Sequence, residues 1–300
     1  MGKHTLCVAL FIGIANIAFA CDVCGAGAMS QNGGLIPFYY KNYVKAGWYH
    51  TPFETINEYG DNTRDYFHTG EISLRYHFNA RWKANLHQPF QFNFRESEEG
   101  NFSLNGLGDT RLTTFYALFN RMKISESSTL SAEAGVGLIM PFGKYDPNIH
   151  STEGLPENFN PGNGNWGTFL QTNWFWQTQK FGLSTNVTCV LKSKTSTGYQ
   201  FGNQTATNLL VFINKKANGW SWMPFAGWYQ EFVAADTYAN GNPVLGTGGM
   251  GGFLQFGVNI FRKEWLFALN CSQPLTHDYA SNEVIPKTRF SIDLTYFFKR

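Results

Sequence analysis

Charge is scarce in this chain. Asp, Glu, Lys and Arg make up 15% of its 300 residues, against roughly 25% in ordinary soluble domains. The excess of one sign is only +2, and no basic run occurs. That excludes the electrostatic footprint of a nucleic-acid binder. Long apolar runs are missing as well. After residue 20 no uninterrupted stretch reaches 18 apolar residues, so no transmembrane helix is predicted there. The 3.6-residue period of amphipathic helices is nearly absent. Hydrolase signatures are lacking: there is no Gly-x-Ser-x-Gly, no His-Glu-x-x-His and no Walker loop.

What is present in excess is aromatic. Phe (28), Tyr (14) and Trp (9) reach 17% of the chain, and glycine numbers 31. Mean hydropathy is nevertheless negative. Aromatics, glycine and uncharged polar residues in this mixture suit a wall with one apolar and one wet face.

The N-terminus points to export. Lys3 and His4 precede an apolar stretch from Leu6 to Phe19, broken by Gly13 and Asn16. Ala18-Phe19-Ala20 is a small-x-small cleavage pattern, so residues 1–20 read as a signal peptide removed after Ala20. A membrane anchor would need about 20 apolar residues, more than this segment has. Cleavage would leave Cys21 first, where lipidation is open, although Ala18 and Phe19 match a lipidation signal poorly. Cys21-Asp22-Val23-Cys24 is a CxxC. A disulfide is the favoured reading in an oxidising envelope. Half of a soft-metal site, for copper, is the alternative. A redox pair lacks the usual βαβ context. No other cofactor is expected.

Beyond the N-terminus the period of two recurs. Ile72, Leu74, Tyr76 and Phe78 share a face, opposite Thr69, Glu71, Ser73, Arg75 and His77. Leu254, Phe256, Val258 and Ile260 oppose Gln255, Gly257 and Asn259. Phe290, Ile292, Leu294, Tyr296 and Phe298 oppose Arg289, Ser291, Asp293 and Thr295. About twelve such segments are predicted, near 41–53, 66–78, 82–95, 107–119, 128–141, 166–177, 181–193, 203–215, 219–232, 251–262, 264–274 and 287–299. In 219–232, Trp220, Trp222 and Trp228 share a parity, but Met223, Phe225 and Phe232 do not sort cleanly. Short connections alternate with long ones at 54–65, 96–106, 142–165, 194–202, 233–250 and 275–286. That rhythm, and strands longer than the 5–6 residues of globular sheets, predict an all-β fold. It is a transmembrane antiparallel up-and-down β-barrel spanning 41–300, with both ends on the short-turn side. Only a closed sheet pairs every backbone group within lipid. Trp48, Trp82, Trp166, Trp176, Trp265 and Phe298, near strand ends, suit interfacial girdles. The expected location is the outer membrane of a Gram-negative bacterium, with the bilayer as partner. Oligomeric state is left open.

If the apolar face meets lipid, the other face lines a lumen. It would carry Lys45, Glu71, Arg75, His77, Lys83, His87, Arg95, Asp109, Arg111, Glu133, Arg289 and Asp293. Both signs are present, so an ion-pair lattice and a narrow polar path are both open. Cys189 and Cys271 fall on the lipid parity as small apolar residues. Residues 21–40 precede the first strand, with little charge and an apolar end at Leu35-Ile36-Pro37-Phe38. They form a periplasmic segment or, slightly favoured, a plug in the lumen.

Several motifs then follow in order: Gly106-Leu107-Gly108-Asp109, the run 137–145 ending Pro141-Phe142-Gly143-Lys144-Tyr145, Leu155-Pro156-Glu157-Asn158-Phe159, and Pro161-Gly162-Asn163-Gly164-Asn165-Trp166. The succession resembles the transporter-like outer-membrane β-barrel family named for the meta-pathway of phenol degradation, across roughly residues 21–300. The Cys-Asp-Val-Cys-Gly start is similar to a subgroup beginning CDxCGC, with Ala26 in place of its third cysteine. The resemblance implies passage of small, hydrophobic or aromatic solutes and no catalytic residues. Three functions are therefore carried forward. The first is a channel or transporter using passive or gated diffusion. The second is a sealed structural or copper-handling barrel. The third, an outer-membrane enzyme, is not expected.

Overall fold

The computed structural model describes residues 41–56, 62–98 and 100–299. The predicted signal peptide, the Cys21/Cys24 pair and the proposed plug at 21–40 lie outside the described residues. Fifteen strands follow in chain order. They are β1 (Asn42–Ile56), β2 (Asn62–His77), β3 (Trp82–Ser97), β4 (Gly100–Leu107), β5 (Thr110–Ser125), β6 (Ser128–Met140), β7 (Gly167–Thr178) and β8 (Phe181–Lys192). Then come β9 (Gln204–Ile213), β10 (Lys215–Ala217), β11 (Trp220–Val233), β12 (Gly249–Arg262), β13 (Trp265–Tyr279), β14 (Val284–Pro286) and β15 (Arg289–Phe298). One short helix, α1 (Ile149–Glu153), sits in the connection after β6. No helix of the described residues is long and apolar enough to cross a membrane.

All neighbouring strands pair antiparallel, and β1 closes the sheet on β15 from Asn42↔Phe298 to His50↔Phe290. The fifteen strands make twelve staves. β4 and β5 both pair with β3, one above the other, broken only at Gly108-Asp109. β14 and β15 share the gap between β13 and β1 in the same way. β10 continues β9 along β11. The molecule is a twelve-stave closed barrel without free edges, as its alternating sequence predicts.

The alternation sorts by face. Ile72, Leu170 and Ile292 point outward at 56%, 57% and 48% exposure, while Asn259, Asp293 and Thr295 point inward at 1% or less. Around the short-turn end, Trp82 rests 5.0 Å from Tyr116, Trp265 4.9 Å from Tyr296, and Trp176 5.5 Å from Phe181. Such ring pairs form the girdle expected at a bilayer interface.

The structure departs from the predicted connections at 96–106 and 275–286, which contain β4 and β14. The reason is an inverted polarity. In β4, Asn101, Ser103 and Asn105 face out, while Phe102 and Leu104 pack inward against Ile149, Leu155 and Phe159. The wall continues beyond the apolar band with its wet side outside.

The ambiguous segment 219–232 is resolved similarly. Trp222 is exposed outside, whereas Met223 and Phe225 join Phe175, Leu210 and Phe212 in an inward apolar cluster. Both faces of β11 are greasy there, so no single parity could sort it.

A charged interior and a clasped loop

Antiparallel register brings inward side chains of adjacent strands side by side, because successive residues alternate faces. Lys45 on β1 thus meets Glu71 on β2 at 3.4 Å and Asp293 on β15 at 3.2 Å. Tyr49 bridges them, accepting from Lys45 Nζ and donating to Asp293 Oδ1 at 2.9 Å. Glu71 also binds Arg111, and its Oε1 lies 3.2 Å from His87 Nδ1. Five of the predicted lumen residues therefore form one network. Lys83 pairs with Glu133 at 2.7 Å, and Asn173 donates to the same carboxylate. Arg75 donates to Asn85 and lies 4.5 Å over the Tyr43 ring. His77 sits at the short-turn end, where its backbone N–H donates to Asn42 Oδ1.

Two carboxylates of this interior were absent from the sequence reading. Asp65 takes a bidentate pair of bonds from Arg95 at 2.6 and 2.7 Å. Carrying the β2 alternation two residues further back would have found it. Glu231 binds Arg289 at 2.9 and 3.2 Å and accepts the hydroxyls of Tyr229 and Tyr279. The Arg289 guanidinium lies 4.0 Å from the Phe253 ring centre. Glu231 lies in the strand whose two apolar faces hid its parity.

Ser73, His87 and Glu71 adjoin one another, which raises the question of nucleophilic chemistry. Ser73 Oγ and Glu71 Oε1 both approach the same nitrogen, His87 Nδ1, at 2.9 and 3.2 Å. A relay needs the hydroxyl and the carboxylate on opposite ring nitrogens. This arrangement therefore cannot pass a proton from serine through histidine. Among the described residues no group of three or more His, Cys, Asp or Glu is placed to hold a metal.

Asp109 stands apart from the other predicted lumen residues. It sits where β4 gives way to β5, and its two oxygens accept the backbone N–H groups of Gly143 at 3.1 Å and Asn163 at 2.7 Å. These residues are the two ends of the 141–166 connection. Lys144 N–H donates to the Leu107 carbonyl, and Gly162 N–H to that of Lys144. A methyl group added at Gly143 would lie 2.7 Å from the Gly162 Cα, so the strands of this clasp meet only as glycines. Gly164 adopts φ +62°, with the Tyr145 ring over it. The motifs at 106–109, 141–145 and 161–165 are therefore parts of one clasp.

From the clasp the loop turns inward. Ile149, Leu155 and Phe159 are buried against Phe67, Phe102 and Leu104 of the inner wall. Asn93 Nδ2 donates to the Phe159 carbonyl at 2.7 Å, and the Arg95 guanidinium lies 5.7 Å over the Phe159 ring. The loop thus covers part of the barrel mouth. Burial holds the Glu157 carboxyl of this loop above the usual carboxylate range and does the same to Asp236. Burial, reinforced by the Glu157 charge, pushes the Tyr145 hydroxyl up to about 12.

A family model described as "Putative MetA-pathway of phenol degradation" matches residues 62–260, a range that includes the whole clasp. The likeness of residues 21–26 to a CDxCGC subgroup falls outside both that range and the described residues. No curated protein sequence matches the chain. An outer-membrane channel from Pseudomonas putida F1 is similar in structure, with a TM-score of 0.63 and 13% identity over 90% of this chain and 98% of that one. The transport unit of the autotransporter AIDA-I from Escherichia coli reaches a TM-score of 0.50 at 9% identity, over 92% and 95% of the respective chains. At these identities the likeness is one of fold, that of a Gram-negative outer-membrane barrel.

Proposed function

The chain belongs to the family described for the MetA pathway of phenol degradation, and on that premise we propose that it is an outer-membrane channel for small hydrophobic or aromatic solutes. Solutes cross by diffusion, and the inward loop narrows the passage. The observation that carries this reading is the clasped 141–166 connection. A loop drawn inside the mouth and held there by a dedicated carboxylate sets the width of the entrance, as a selective passage needs. The wall supports the reading too. One sector carries paired charges around Glu71 and Asp293, and another carries Phe175, Phe212 and Phe225. Polar and aromatic surfaces facing one interior suit a solute with an apolar body and a polar tip.

Orientation follows from the connections. The clasped loop belongs to the long-connection end, which faces the exterior in such barrels. The bilayer meets the outward apolar band.

Conductance in planar bilayers, with liposome swelling in a phenolic solute, tests the reading. Discrete conductance steps and solute-dependent swelling are expected. A folded barrel that passes neither ions nor aromatic solutes would favour the sealed structural alternative.

A further inference from the structure

The long-connection end holds a feature that the passage does not use. A cleft of about 590 Å³ lies among the connections 141–166, 193–203 and 234–248. Its lining includes His150, Glu157, Asn158, Tyr199, Asp236 and Tyr238, and no Lys or Arg. Lys194 touches the lining only through its bond to the Ala239 carbonyl at 3.3 Å. The two carboxylates differ in their engagement. Asp236 is occupied, accepting Tyr199 OH and the Gly202 N–H at 2.6 Å each. It fixes the Tyr199 ring, which meets Tyr238 edge-on at 6.4 Å. Glu157 has a long contact from Tyr145 OH, at 3.4 Å, and feels the nearby His150 side chain.

Asn158 supplies the second observation. It is 7% exposed, and both its amide oxygen and its amide nitrogen are buried without a hydrogen-bond partner. Buried polar groups nearly always find partners, so an amide unpaired at both ends beside a cleft has room for a partner from a bound molecule or water. Asn158 borders the cleft.

We propose that this cleft is a binding site for a small organic cation, an ammonium group on an apolar or aromatic body. Glu157 provides the counter-charge and the Asn158 amide a hydrogen bond. Tyr199 and Tyr238 offer ring faces, which attract cations through their quadrupoles. Leu245, 89% exposed, covers the apolar body. The inference rests on the channel reading for its purpose, as a capture site ahead of the passage, but its test does not.

Isothermal titration of the full-length protein in detergent, at neutral pH, compares phenethylammonium with phenylacetate. These share a ring and differ in the sign of their charge. Phenethylammonium is expected to bind about tenfold or more tightly than phenylacetate, and Glu157→Gln is expected to weaken it by a similar factor. Retained heat-modifiable migration shows that the variant is folded. The comparison of the two ligands needs no variant. Equal binding of both ligands overturns the proposal, as does unchanged binding in folded Glu157→Gln. Conductance without amine binding removes this site and leaves the channel standing. Amine binding without conductance supports the site and removes the channel.

Discussion

Arg289 and Glu231 are, with Lys45 and Asp293, the most thoroughly enclosed ion pairs among the described residues, their own side chains 3% and 2% exposed. A charge so placed is tolerated only while paired. Arg289→Ala would leave Glu231 with two tyrosine hydroxyls and no cation. A loss of about 3–5 kcal/mol is expected, read as a lowered urea midpoint by tryptophan fluorescence. The Lys287–Glu54 pair is a useful contrast, since Lys287 is 45% exposed. Lys287→Ala is expected to change stability by less than about 1 kcal/mol. Folding of the loops raises the Glu157 and Asp236 carboxyls, burial being the first cause in each. A raised carboxyl takes up a proton on folding, so its contribution to stability is present below the unfolded value and is lost as pH rises through the folded one. Loops 141–166 and 234–248 should therefore resist proteolysis better as pH falls from neutral into the carboxylate range. Faster cleavage in acid would contradict this assignment.

The clasp is the element on which the proposed channel turns. The Asp109 carboxylate accepts two hydrogen bonds from backbone N–H groups, a kind worth about 1.5–3 kcal/mol each. Asp109→Ala should free the loop without opening the barrel wall. Its expected signs are about tenfold faster cleavage within 141–166 by added protease, unchanged heat-modifiable migration, and larger conductance steps. The sequence named the pieces of this clasp but not their meeting. Gly106, Gly108, Gly162 and Gly164 stand in separate motifs, because single-chain spacing carries no information about which loop returns to which strand. Asp109 shared the inward parity and was grouped with the lumen charges for that reason. β4 was hidden by physics of another kind. Above the bilayer its apolar residues, Phe102 and Leu104, turn inward to receive the loop, so a search for apolar residues facing lipid passes over it.

For the whole molecule, the barrel was legible because lipid imposes one rule on every stave. Each must pair its backbone and show lipid an apolar face. Where the lumen face is polar, as along Thr69–His77, the resulting alternation is plain. Where the lumen is itself apolar, around Met223 and Phe225, the signal vanishes and Glu231 goes with it. The mixed interior was thus half visible: its charged sector could be read residue by residue, and its aromatic sector could not. The central claim is that a loop held by Asp109 narrows a working passage. Single-channel recording of the wild-type protein and of Asp109→Ala in the same planar bilayer tests it most directly. Discrete steps in the wild type, enlarged in the variant, are predicted. Steps of equal size in both, or a folded wild-type barrel that conducts nothing, would contradict it.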